Sequence, residues 1–274
     1  MRKVLRFLKR IWFLNFLRRI YFAKKILGHK NRQILKWGFT SKEDTNFTYF
    51  LQPNNVKYLA NLIAVVTGKD YDIVLGYIRE AENDKVLKET ILAGIEQSPL
   101  RKFADKEIRF GRRLGWYAFV RVLKPKVVVE TGVDKGLGSM ILCAALLKNK
   151  EEGFPGKYYG TDINPQAGYL LSGKYKEVGE ILYGDSIETL SAFKDQIDLF
   201  INDSDHSAQY EYDEYLTIKK LLNDSSIILG DNSDVTDKLQ VFSNENNRNF
   251  AFFQERPLNH WYPGAGIGIS YKKA

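Results

Sequence analysis

The chain has 274 residues, 44% of them hydrophobic, which suits one large domain or one domain with an extension and excludes disorder throughout. A single cysteine, Cys143, excludes an intramolecular disulfide and a cysteine-rich zinc site. The formal net charge of +8 is unevenly placed: residues 1–42 carry thirteen Lys or Arg and no acid, so the rest of the chain is net acidic.

At 100° per residue, Val4, Leu5, Leu8, Ile11 and Trp12 share one side of a predicted helix and Arg2, Lys3, Arg6, Lys9 and Arg10 the other. From Phe13 to Leu27 the separation blurs, because Arg18 and Arg19 turn toward the apolar sector, which predicts a stop or bend before that stretch. The longest uncharged run, Ile11 to Leu17, is seven residues, against about 20 needed to span a bilayer. The run is also too short, and too closely followed by arginines, for a signal peptide. Two readings stand for residues 1–42: attachment to an anionic membrane face, or a helix packed on the body or on a second copy in a homodimer. Nucleic acid ranks third, because the body offers no continuing basic groove.

Asn46 to Gln52 reads as a loop and Asn54 to Thr67 as a helix ending at Gly68. One helical periodicity runs from Asp70 to Gln97 and is closed by Pro99. Gly111 to Leu123 is a further helix, broken by Pro125. Short apolar strands follow at 127–130, 158–163, 179–183, 197–201 and 226–229, separated by helix-length segments. That alternation implies a parallel sheet with helices on both faces. The last two strands, 250–254 and 266–271, are too close for a crossover helix and should be antiparallel. The expected organisation is a basic amphipathic leader (1–42), a helical cap or dimerisation region (43–110) and an α/β domain (111–274).

Ligands of open parallel sheets bind beyond the carboxyl ends of the strands. Glu130, Asp162, Asp185, Asp203 and Asp231 each sit at or just past such an end. The first end reads Glu130-Thr-Gly-Val-Asp-Lys-Gly-Leu-Gly-Ser139 and leads into a helix, so Gly132 and Gly136 let the backbone turn tightly and approach a ligand. A dinucleotide fingerprint would place its second glycine at Asp134, whose carboxylate repels a pyrophosphate, which argues against a dehydrogenase. The segment resembles the first motif of class I S-adenosylmethionine (SAM) dependent methyltransferases, an acid followed by a glycine-rich loop. The resemblance spans roughly 111–273 and implies a Rossmann-like, doubly wound, seven-stranded sheet with an antiparallel C-terminal hairpin and an N-terminal helical extension. It implies SAM contacts from Glu130, Thr131, Gly132, Gly136, Gly138 and Ser139, a ribose contact from Asp162, and adenine contacts from Asp185 and Ser186. Helix N-capping is an equal reading of Asp185.

The fourth and fifth ends, Phe200-Ile-Asn-Asp-Ser-Asp-His-Ser207 and Leu229-Gly-Asp-Asn232, resemble the metal motifs of catechol, caffeoyl-CoA and sugar O-methyltransferases. The resemblance implies Asp203, Asp231 and Asn232 as Mg²⁺ ligands, hard oxygens that activate a hydroxyl. His206 stands where those families place a lysine base, and Asp205 could replace Asp203 or orient His206. A metal-free site using His206 is the competing reading. Tyr210, Tyr212, Trp261 and Tyr262 are candidates for the acceptor pocket, and His260 is a second base candidate. The expected activity is O-methylation of a glycan, a lipid-linked intermediate or a secondary metabolite, in the cytoplasm or at the inner membrane face. The non-catalytic alternative is a SAM-binding scaffold docked through its N-terminus.

Overall fold

The computed structural model describes residues 11–43, 47–205 and 207–272. Its sheet has seven strands: β1 (Val127–Thr131), β2 (Lys157–Asp162), β3 (Gly179–Tyr183), β4 (Ile197–Asn202), β5 (Leu222–Gly230), β6 (Asn249–Gln254) and β7 (Gly266–Tyr271). The order is β3-β2-β1-β4-β5-β7-β6, with β1 to β5 parallel and β7 antiparallel to both β5 and β6. The order reverses between β1 and β4, which opens a crevice at their carboxyl ends. The doubly wound sheet and its C-terminal hairpin are those expected.

The helices are α1 (Trp12–Thr40), α2 (Pro53–Thr67), α3 (Tyr71–Asn83), α4 (Lys85–Gln97), α5 (Arg113–Leu123), α6 (Leu137–Glu151), α7 (Ser186–Ala192), α8 (Ala208–Ile218) and α9 (Lys238–Glu245). Helix α5 is apolar on nearly every side, and Leu114 through Val122 are all buried between α2, α3 and α6. Its one internal cation, Arg121, is paired with Glu80 at 2.8 Å and Glu152 at 2.5 Å and also donates to Asn149. The main core joins Leu59, Ile78 and Ile91 of α2 to α4 with Trp116 of α5, Ile141 of α6 and the sheet. Cys143 is buried in it, and burial pushes its thiol pKa up, as a core role requires.

Three boundaries differ from the sequence reading. The single helix expected over 70–97 divides at Asp84, which leaves helical geometry (φ −70°, ψ 94°) while its carboxylate caps α4 through Leu87 N at 2.9 Å. Periodicity hid the break because both helices bury the same side, with Ile78 and Ala81 before it and Leu87 and Ile91 after it. Strand β5 begins at Leu222, four residues before the expected start, because polar residues masked its opening. Pro99 does more than close a helix: it opens a 3₁₀ turn over Pro99–Phe103. In the leader, Ile11 is extended and α1 then runs unbroken to Thr40, while the face expected from Val4 to Leu8 lies outside the described residues. Among the described residues no helix is long and apolar enough to cross a membrane.

Replacing Asp84 by Ala should lower unfolding free energy by about 0.5–2 kcal/mol, and Asp84→Ser should restore most of it. Urea denaturation of the two variants checks this.

Candidate functional site

The strand ends are stitched in register by main-chain hydrogen bonds: Gly132 N to Thr161 O (2.9 Å), Asp203 N to Thr131 O (3.0 Å), Gly184 N to Asp162 O (3.0 Å) and Asp231 N to Asn202 O (2.9 Å). Each bond carries the parallel ladder one residue past a strand and fixes where the next side chain points. Gly132 has φ 78°, and a Cβ there would lie 2.0 Å from Asp203 O, so only glycine lets the β1 loop close against the end of β4. Gly138 is needed for a different contact, since its Cβ would lie 2.0 Å from Glu130 Oε1.

A cavity of about 430 Å³ lies over these ends, lined by Gly132, Asp134, Asp162, Asp185, Ser186, Asp203 and Tyr210 among others. Asp162 accepts from Asp134 N (2.9 Å) and Asn164 N (2.8 Å), so it holds the glycine loop while facing the cavity. Asp185 caps α7 through Ile187 N (2.9 Å) and Glu188 N (3.2 Å), and its other oxygen accepts from Tyr210 OH (2.8 Å). Both readings of Asp185 are therefore compatible with where it sits.

Glu130, Thr131 and Ser139 lie behind the cavity. The Glu130 carboxyl is buried and accepts from Tyr158 OH, which also bonds Ser139 Oγ at 2.8 Å. Burial, opposed by the Tyr158 bond, raises its pKa to about 7. Gly136 caps the N-terminus of α6 with φ 94° and is not among the lining residues.

The sequence reading missed Glu214 of α8. Its carboxylate is buried and accepts from Thr131 Oγ1 (3.2 Å), Ser204 Oγ (2.7 Å), Ser186 Oγ and Asn202 Nδ2. One side chain thus ties the ends of β1 and β4 to the start of α7. Burial raises its pKa to about 7 against the pull of those four bonds. Its place four residues after Tyr210 and four before Ile218, on the inward side of the helix, was the available signal.

A second cavity of about 310 Å³ is lined by Phe47, Tyr49, Arg112, Asp134, Asp231, Asn232 and Tyr262 among others, so Asp134 borders both spaces. The buried guanidinium of Arg112, also missed in the sequence, stands between the acids. It donates from Nε and Nη2 to the two oxygens of Asp231, and it lies 3.9 Å from Asp203 and 3.6 Å from Glu255. Arg113 adds a contact with Asp203 at 3.6 Å. Burial opposes the Arg112 charge, but Asp231, Asp203 and Glu255 outweigh it and hold its pKa well above the ordinary value.

The expected metal set, Asp203, Asp231 and Asn232, does not fit a divalent ion in this arrangement. Arg112 already spans Asp203 and Asp231, and a second cation beside a bidentate guanidinium would meet its repulsion. Asn232 Nδ2 points to Asp205 O at 3.5 Å. Among the described residues no group of three or more His, Cys, Asp or Glu is placed to hold a metal. His206 lies outside the described residues, while its neighbour Asp205 lines the first cavity.

Of the other candidates, Tyr210 lines the first cavity and Tyr262 the second. Tyr212 is drawn outward to Glu245, and Trp261 packs in an aromatic cluster with Trp37 and Phe47. His260 lines neither cavity: its Nδ1 accepts from Tyr262 N at 3.1 Å, and burial lowers its pKa.

Residues 129–233 match the family described as "Methyltransferase domain". No curated protein matches the chain. Among solved structures, the S-adenosylhomocysteine-bound methyltransferase PaMTH1 of Podospora anserina shares the fold at 16% identity and TM-score 0.51, covering 72% of this chain and 93% of its own. A putative O-methyltransferase from Klebsiella pneumoniae does so at 13% identity and TM-score 0.50, covering 69% and 90%.

The Glu214 carboxyl predicts a pH signature. Its folded pKa of about 7 exceeds the unfolded value, so between pH of about 4.5 and 7 the folded chain keeps a proton that the unfolded chain has lost. Stability therefore falls as pH rises through that window and levels off above it. Glu214→Gln should remove this part of the decline, on the order of 1–3 kcal/mol. Denaturation at pH 5 and pH 7.5 measures it, and a wild-type to variant difference independent of pH would be the contrary result.

Proposed function

We propose that this chain is a class I SAM-dependent methyltransferase that transfers the SAM methyl group to an acceptor hydroxyl held in the second cavity, a reading supported by the methyltransferase-domain match over residues 129–233. One observation carries this reading: a single cavity gathers Gly132, Asp162, Asp185 and Asp203 from the ends of four strands, at the place where sheet order reverses. Gly132 lets the β1 loop close against the end of β4 and so form the cavity floor, Asp162 faces the cavity as acceptor for ribose hydroxyls, and Asp185 with Ser186 borders the base side. SAM supplies a methyl group already activated by its sulfonium, so the protein's work is alignment and proton removal. Alignment is worth up to roughly 7–11 kcal/mol of barrier.

Asp203 lines the first cavity and Asp231 the second, and Arg112 contacts both. An acceptor hydroxyl entering beside Asp231 faces the methyl donor across Asp203, which takes the hydroxyl proton as the oxygen attacks. Arg112 fixes Asp231 and offsets the repulsion between the two neighbouring carboxylates, while burial and the closeness of Asp231 raise the Asp203 pKa, as suits a proton acceptor. In this reading the guanidinium provides the positive charge that Mg²⁺ would have supplied, so proton removal rests on the carboxylates.

Asp162→Ala should weaken SAM binding about 10- to 100-fold by calorimetry, the effect of deleting a charged hydrogen-bond acceptor. Asp203→Asn should leave SAM affinity near wild type and cut release of S-adenosylhomocysteine about 10²- to 10⁴-fold, the usual contribution of a positioned base. Methyl transfer from labelled SAM to cell extract should proceed equally with and without EDTA, and a collapse under EDTA would show that a metal displaces Arg112. Tight SAM binding with no S-adenosylhomocysteine from any extract would instead identify a docking scaffold.

A further inference from the structure

Helix α1 carries seven Lys or Arg and no acid along Trp12–Thr40. Its last turns are fastened to the body by one stripe: Lys30 Nζ donates to Trp261 O at 2.9 Å, and the Trp37 ring meets Phe47 at 5.5 Å and Trp261 at 5.4 Å. At 100° per residue the opposite stripe is Leu17, Tyr21, Gly28, Leu35 and Phe39. Its side chains face solvent: Tyr21 is 62% exposed, Leu35 61% and Phe39 89%. Beside it, at seven-residue spacing, runs a row of cations, Arg18, Lys25 and Arg32, joined by Lys36. The stripe is thus bordered by cations on both sides, Lys24 on one and the row containing Arg18 on the other, while Arg19 and the exposed Phe22 and Ile26 lie outside this division.

We propose that α1 lies in the surface of an anionic bilayer, with Tyr21, Leu35 and Phe39 among the acyl chains and the cationic row on lipid phosphates, and that the acceptor reaches the second cavity from that bilayer. An apolar face flanked by cations is the chemistry of an interfacial helix. A second copy of the same face is disfavoured, because pairing would oppose two cationic rows with no acid on either helix. The net-acidic body would be repelled by the same lipids, which leaves α1 as the side that docks. The helix also sits on the rim of the second cavity: Phe47, the ring partner of Trp37, and Glu43, which accepts from Trp37 Nε1 at 3.2 Å, both line it. The acceptor half rests on the reading of that cavity given above, and it assigns the acceptor to amphiphiles bearing a hydroxyl in the headgroup region.

The test uses the full chain and its Tyr21→Glu/Leu35→Glu/Phe39→Glu variant. Co-sedimentation is measured with phosphatidylcholine vesicles, with and without added phosphatidylglycerol. Wild type should bind only the anionic vesicles, and the variant should bind at least about tenfold less while keeping wild-type SAM affinity, which reports an intact fold. Failure of wild type to sediment with anionic vesicles, or equal binding by the variant, overturns the docking surface. A wild-type dimer that the variant dissolves, without vesicle binding, assigns the face to a second copy instead. For the acceptor, wild type incubated with methyl-labelled SAM and a membrane extract should place label in the organic-soluble fraction. Label confined to water-soluble products overturns the acceptor half and leaves docking intact. Loss of SAM binding by wild type would sink the methyltransferase reading without touching the vesicle result.

Discussion

The arrangement around the active crevice depends on one ionic contact set, the buried Arg112 guanidinium among Asp203, Asp231 and Glu255. Three acids from three strand ends meet there, and the guanidinium offsets their mutual repulsion and part of the cost of taking them out of water. Arg112 directly precedes α5, a helix buried on nearly every side, so the cation is anchored at the start of a well-buried element. The same contact joins the two cavities, with Asp203 lining the first and Asp231 the second.

Behind this ionic layer is a second one built from hydrogen bonds to buried acids. Glu214 collects four donors, and Glu130 anchors the Tyr158 and Ser139 pair beneath the glycine loop. Each carboxyl costs desolvation energy, visible in its raised pKa, and in return fixes the rotamers of residues at strand ends. Rigid strand ends matter in methyl transfer because the donor is already activated, so error in alignment is the main quantity the protein controls.

The periphery follows a different logic. Helix α1 is held by a narrow aromatic and lysine contact at its C-terminal half and presents the rest of its surface outward. An element with so little buried area gains little from the fold, and its composition answers to whatever lies outside it. Its Trp37 touches Glu43 and Phe47 on the rim of the second cavity, so this helix and that cavity share a border.

Much of this was legible in the chain itself. Strand periodicity and the short spacing of the last two strands determined the sheet and its antiparallel hairpin, because alternation and loop length are local properties. Acids at strand ends and the glycines of the loop after β1 marked the crevice, because a glycine cluster between a strand and a helix is visible in the local sequence, although the contact that requires Gly132, with Asp203 O, is not. Only tertiary structure decided that Arg112 holds the expected metal ligands, that Glu214 ties the cavity floor, and that Glu130 faces inward. Those outcomes depend on which groups meet across the chain, at separations of 28 residues between Glu130 and Tyr158, 83 between Thr131 and Glu214 and 119 between Arg112 and Asp231. No local pattern encodes such pairings: a buried charge takes whatever partner the packing brings within reach, and packing is a property of the whole fold.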